Sequence, residues 1–199
     1  MTTQLERCSW ASTGGPNIGT AYLDYHDRVW GVPERDPLVL FEFLVLEGAQ
    51  AGLSWLTILR KRENYRCAFD NFDIERIARY DDNDVARLLG DAGIVRNKLK
   101  IRAAIDNARA AIDLRQAGVS LGDFFWRRFD HRPVINHWRR MEDVPVHDDA
   151  ARALSRDLRQ RGFRFVGPTI IYSYMQATGM VNDHLVSCPR HGQLAASAS

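Results

Sequence analysis

The sequence predicts an all-α fold. Helix-capping residues recur along it, glycines stand where helices would close, and no stretch alternates apolar and polar residues long enough to make a half-buried sheet. No internal repeat of fixed period is present, which excludes solenoids and propellers.

The elements follow in order. Asp36-Pro37 is an N-cap with proline at the first helical position, opening an apolar helix that runs to about Leu46. Ser54 caps a second helix, Trp55 to about Cys67. Asp73 starts a short third, and Asp81 with Asp84 three residues on starts a fourth that ends near Leu89. After the tight segment Gly90-Asp91-Ala92-Gly93 comes a long helix from about Asn97 to Gln116, closed by Gly118. Asp148 caps another that ends at Gly162. Gly167-Pro168 opens the last, which runs to about Ala177 and stops at Gly179. The best strand candidate is the short stretch Phe163-Arg164-Phe165-Val166. Residues 12–20, with three glycines and a proline, read as a loop, and residues 130–147 as a second loop or a short irregular helix. Residues 190–199 read as a disordered tail.

Composition narrows the class. At 199 residues the chain is one domain with enough length for a real core. A net charge of +2 does not by itself announce a nucleic-acid binder, so any basic surface must come from local clustering. No apolar run reaches the length of a membrane span, so no membrane partner is expected. Three cysteines, an odd number, without a secretory leader point to a reducing cytoplasm. Cys67, beside Phe69 in a helix, reads as a core residue.

Two half-sites for a metal lie at opposite ends of the chain. Cys8 and His26 stand near the start; His184 and Cys188, spaced His-x-x-x-Cys, near the end. Two thiolates and two imidazoles form the closed tetrahedral set zinc takes in structural sites, without an open position for water. The alternative is two cysteines that pack and two histidines that satisfy hydrogen bonds. His191, three residues past Cys188, is the one competing ligand.

Aromatic residues crowd the first half-site: Trp10 and Trp30 flank it, and Tyr22 and Tyr25 precede His26. Fixing Cys8 and His26 on one ion gathers four rings in one place, which suits a pocket for a flat heterocycle. Plain core packing is equally compatible with that spacing. Glu47 ends a helix whose preceding residues are almost all apolar. It lies either on an exposed edge or buried for a purpose, and a buried carboxylate needs partners. Gly48 and Gly52 beside it allow a close approach or a tight turn.

Residues 88–96 join two helices through a glycine-bearing turn, with Arg96, Lys98, Lys100 and Arg102 just beyond. Free backbone N–H groups at such a turn bind anions. This is the outline of a helix-hairpin-helix, which grips DNA phosphate without reading sequence. A helix corner with a solvated basic face has the same outline.

Together these segments resemble the helix-hairpin-helix DNA glycosylases of the 3-methyladenine type. The resemblance runs from Glu6-Arg7-Cys8 to Cys188. Its most specific stretches are Tyr25-His26-Asp27, Trp30-Gly31, Leu46 to Trp55, Lys61 to Arg66, Gly162 to Gly167 and Val181 to His184. It implies an enzyme that flips 3-methyladenine out of alkylated double-stranded DNA and hydrolyses its N-glycosidic bond. A monomer is the default expectation, because nothing in the sequence suggests an oligomer interface. The resemblance places a structural zinc on Cys8, His26, His184 and Cys188. The base pocket falls on Glu47, Tyr22, Tyr25 and Trp55, with Trp10 and Trp30 close by. Gly52-Leu53 falls on the turn that approaches the gap left by the flipped nucleotide, and the hairpin on residues 82–116, with Gly93, Arg96 and Lys98 toward DNA. The chain departs from the family pattern at Ser9, at Pro168 and in a longer loop before Tyr22. A non-catalytic hairpin module would have no reason to gather rings around Glu47. A zinc hydrolase would need an open coordination position.

Overall fold

The computed structural model describes residues 6–11 and 19–197. The loop expected at 12–20 lies outside them up to residue 18. Ten α-helices make up most of the described chain: α1 (Gly19–Arg28), α2 (Pro37–Gln50), α3 (Trp55–Ala68), α4 (Ile74–Ala78), α5 (Asp82–Gly90), α6 (Lys98–Gln116), α7 (Leu121–Trp126), α8 (Asp149–Gln160), α9 (Pro168–Ala177) and α10 (Pro189–Ser197). The all-α expectation holds, with one two-residue parallel pair, β1 (Val134–Ile135) and β2 (Val181–Asn182), registered Val134 to Val181.

The caps act as the sequence indicated. Asp36 accepts from Leu38 N, Ser54 from Thr57 N, Asp73 from Arg76 N and Asp148 from Ala151 N. Asp81 and Asp84 form a reciprocal capping box. Pro168 sits at the first position of α9, where its missing N–H would have had no helical partner anyway.

The centre of the molecule is α2, buried without a break from Leu40 to Ala49. A helix apolar all round must be covered on every side, and α3, α6, α7 and α9 pack against it. Its two charged residues, Glu42 and Glu47, are therefore both inside the protein.

Five expectations are corrected. α2 continues to Gln50, so Glu47 lies within the helix and not at its end. Helical hydrogen bonding carries it past Gly48, whose missing side chain admits Phe165: a Cβ there would lie 3.3 Å from Phe165 Cβ. Phe163 to Val166 is no strand, because Phe165 adopts a left-handed φ of 53° that breaks extended backbone. Cys67 is exposed on α3, since the helix turns that position away from α2. Residues 190–197 are not a disordered tail but belong to α10, which buries His191 and Leu194. The helix at 168–177 is thus not the last, and α1 and α7 are also additional to the helices read from sequence.

Candidate active site and metal centre

α1, β2 and the start of α10 bring the two chain ends together. The ligand atoms of Cys8, His26, His184 and Cys188 all lie within 4.8 Å of one another, and all four residues are buried. His184 Nδ1 is 3.6 Å from both sulfurs, and His26 Nε2 is 3.8 Å from Cys188 Sγ. Zinc bonds of about 2.3 Å to sulfur and about 2.0–2.1 Å to nitrogen, set tetrahedrally, require separations on this scale.

The outer shell fits as well. His26 Nδ1 donates to Asp27 Oδ1 at 2.8 Å, and His184 Nε2 donates to the Trp30 carbonyl at 3.0 Å. A carboxylate and a carbonyl only accept, so each ring turns its lone pair toward the sulfurs. Arg7 holds Asp27 through a bidentate pair at 2.7–3.0 Å. The Cys188 thiol is pulled well below its usual range, first by its bond with Cys8 and then by the histidines. Cys8 is held above its usual range by that same bond and by burial. His191 is not a fifth ligand: its Nε2 bonds the Asn136 carbonyl at 2.7 Å.

Beside this Cys/His cluster opens a cavity of about 200 Å³. Trp10, Tyr22, Tyr25, Trp30, Glu47 and Trp55 line it, together with Gln50, Met141, Ser173 and Gln176. Every ring singled out in the sequence is here. Trp10 and Trp30 belong to both sites: Trp10 stands edge-on to His26 at 5.2 Å, and Trp30 to His184 at 4.6 Å. Trp10 also contacts Tyr22 at 5.2 Å, and Tyr25 meets Trp55 at 5.3 Å. The volume is below the roughly 300–1,000 Å³ of drug-sized pockets, on the scale of a single heterocycle.

The polar groups of this cavity are unusual. Glu47 is 3% exposed, and its Oε2 has no hydrogen-bond partner among the described residues; the buried Trp55 Nε1 has none among them either. Burial alone pushes the Glu47 carboxyl up to about 8. Tyr25 is pushed far above the usual phenol range, first by burial and then by the Glu47 charge. A second cavity shares Glu47, Gln50 and Ser173 with the first and reaches the surface past Gly52 and Leu53. Gly52 takes φ +80° with open space where a Cβ would stand, and Leu53 is 42% exposed.

Gln50, Met141, Ser173 and Gln176 were not singled out in the sequence. Ser173 and Gln176 had a signal, being polar residues three apart on the apolar helix α9. Met141 had none, since it comes from the irregular stretch after β1.

The turn between α5 and α6 is tightly built. Gly93 N donates to Asp91 Oδ1, Val95 N to the Tyr65 hydroxyl, and Lys61 Nζ to the Ala92 carbonyl. A Cβ on Gly93 would lie 3.0 Å from Asn64 Cβ. Arg96 and Lys98 are exposed and make no ion pair among the described residues. Lys100 and Arg102 are engaged elsewhere. Lys100 Nζ binds the Ala49 and Ala51 carbonyls at 2.8 and 2.6 Å, closing the end of α2, and Arg102 pairs with Asp82.

A family model described as methyladenine glycosylase matches residues 16–191. The chain belongs to the methyladenine glycosylase family. The chain is 48% identical over 184 residues to DNA-3-methyladenine glycosylase 1 of Escherichia coli K12, covering 92% of this chain and 96% of that protein. It is 42% identical over 189 residues to the Haemophilus influenzae DNA-3-methyladenine glycosylase, covering 95% and 98%. The crystal structure of a 3-methyladenine DNA glycosylase I superposes with a TM-score of 0.88 at 48% identity, covering 92% and 98%. The Staphylococcus aureus enzyme, described for its recognition of 3-methyladenine, superposes at 0.86 with 38% identity, covering 92% and 94%. This methyladenine glycosylase is therefore an enzyme that hydrolyses N-glycosyl bonds, which sets aside the non-catalytic module. No helix among the described residues is long and apolar enough to cross a membrane.

Proposed function

We propose that the chain removes 3-methyladenine from alkylated double-stranded DNA by flipping the base into the cavity between Tyr22, Tyr25 and Trp55. A base inside a duplex cannot reach such a cavity, so it must leave the stack. The observation that carries this reading is Glu47 Oε2, a buried carboxylate oxygen with no partner among the described residues, in the wall of an aromatic pocket. Leaving such an atom unpaired is unfavourable by about 1–3 kcal/mol or more, and a base bearing N–H groups removes that penalty. A cationic base also favours the ionised carboxylate. Trp55 and Tyr22 stack on the base, and Tyr25 packs or hydrogen-bonds at its edge. Trp10 and Trp30 brace the pocket against the metal centre.

Because 3-methyladenine in DNA is cationic, it is already a good leaving group. Glu47 then serves recognition first and catalysis second. Neutral adenine leaves the carboxylate poorly matched, which discriminates against undamaged DNA. The α5–turn–α6 unit, residues 82–116, is read as a helix-hairpin-helix with Arg96 and Lys98 on the phosphate backbone; Gly93, expected there too, gives its N–H to Asp91 Oδ1 and shapes the turn instead. Gly52 and Leu53, at the outer mouth, approach the gap left in the duplex. The four-ligand centre holds one structural zinc, whose bonds tie the chain ends together. The enzyme works as a monomer, and its three free cysteines suit a reducing cytoplasm.

The experiment is chromatography of free bases released from methylated duplex DNA by the wild type and by Glu47→Gln. Selective 3-methyladenine release should fall in the variant by on the order of 10²-fold. Unchanged selectivity would sink the role given to Glu47.

A further inference from the structure

Asp183 is buried at 1% exposure beside the pocket and receives four hydrogen bonds. Asn136 Nδ2 and Trp138 Nε1 donate to Oδ1 at 2.7 and 2.8 Å. The Tyr172 hydroxyl and Gln176 Nε2 donate to Oδ2, both at 2.8 Å. These donors come from the end of β1, from the loop after it and from α9, so the carboxylate is fixed from three directions.

Gln176 is the only one of the four that also lines the base cavity. Its amide has one orientation open to it. A carboxylate oxygen accepts and cannot donate, so the nitrogen must face Asp183 and the oxygen must face away. Among the described residues no donor reaches Gln176 Oε1, and that atom is not among the buried atoms lacking a partner, so it retains open space before it. The cavity that Gln176 lines is the base cavity. A side chain that could otherwise offer either polarity is thereby held as an acceptor.

We propose that Gln176, oriented by Asp183, is a specificity residue that accepts a hydrogen bond from the exocyclic amino group of the flipped base. This rests on the pocket reading given for Glu47. A 3-methyladenine still joined to its sugar carries its N–H donors on that amino group alone. Glu47 and the Gln176 carbonyl, on α2 and α9, supply two acceptors for its two hydrogens. A purine without the amino group leaves both acceptors unpaired, so the pocket selects amino-bearing alkylated purines. Asp183 itself is a positioning residue, acting through Gln176.

The test is a cycle between base and side chain. Binding of free 3-methyladenine and of free 3-methylpurine, which lacks the amino group, is followed by the fluorescence of the pocket tryptophans. Wild type and Gln176→Met, of nearly equal side-chain length, are compared, with zinc content and Tm measured in parallel. Removing the amino group should weaken binding to the wild type more than to Gln176→Met, by roughly threefold to tenfold. Equal losses in both proteins would overturn the assignment of Gln176 and leave the Glu47 pocket standing. No fluorescence response to 3-methyladenine in the wild type would overturn both. Should Gln176→Met not fold, Gln176→Glu, whose acid form keeps both the donor to Asp183 and the acceptor, is read by the same cycle. There the wild-type difference must persist at low pH, and its loss overturns the proposal.

Discussion

Glu42 and Glu47 lie five residues apart on the same buried helix, and the protein treats them oppositely. Glu42 is met by Arg62 at 2.6 Å and by Arg66 at 3.0 and 3.1 Å, so both of its oxygens are paired. Glu47 faces an aromatic cavity in which Oε2 has nothing to accept from among the described residues. Burial is alike, at 5% and 3%, so burial does not separate the two. What separates them is whether the fold supplies the partner. A buried ion pair closed within the chain serves the structure, whereas a buried carboxylate left open stores affinity for a ligand that brings the missing donors. The cluster of Cys8, His26, His184 and Cys188 sits on the closed side of this divide. Each histidine nitrogen that faces away from its sulfurs is already bonded, and the four inward atoms converge on one point.

The largest effect should come from breaking the closed metal centre. Chelation should lower Tm by on the order of 10 °C, equivalent to about 4 kcal/mol when the metal stands a thousandfold above its Kd. It should also loosen the pocket, because Trp10 and Trp30 pack on the histidine rings. Thermal unfolding with and without chelator, alongside metal analysis, checks this. A Tm unmoved by complete metal removal would contradict a structural role.

Breaking the closed carboxylate comes next. Replacing Arg62 and Arg66 together by methionine strands Glu42 inside the core, and should destabilise by about 3–5 kcal/mol in denaturant titration. The same experiment on the open carboxylate should give the reverse sign. Glu47 titrates near 8 when folded, against an ordinary value of 4.5. Between those values the folded chain holds a proton that the unfolded chain lacks, so stability falls as pH rises through that window and levels off above 8. Glu47→Gln removes this dependence. Its stability advantage over the wild type should grow from pH 5 to pH 8 and reach on the order of a few kcal/mol. A constant difference across that range would mean that Glu47 is already paired.

Much of this was legible in the chain. Asp36, Ser54, Asp73, Asp81 and Asp148 marked helix starts because capping is a local interaction between a side chain and nearby backbone. The four residues that cluster and the six that line one cavity could be named, since ligand chemistry and the family resemblance acted on the same short stretches. The contrast between Glu42 and Glu47 was not legible. Which carboxylate meets an arginine depends on the rotation of α3 against α2, a tertiary fact that spacing on α2 does not contain. Lys100 was missed for a like reason. Its sequence neighbours suggested a DNA-facing charge, yet the approach of α6 to the end of α2 gives it two carbonyls instead. Cys67 looked apolar by type, and the facing of α3 decided its exposure. Gln176 drew its meaning from Asp183, which only the fold brings against it.

The most direct test of the divide between closed and open carboxylates is a crystal structure of this protein with 3-methyladenine bound. The base should lie in the cavity against Trp55, with Glu47 Oε2 within hydrogen-bond distance of its N–H groups and with Glu42 still held by Arg62 and Arg66. A base bound elsewhere, or one seated in the cavity with Glu47 Oε2 still unpaired, would contradict the account.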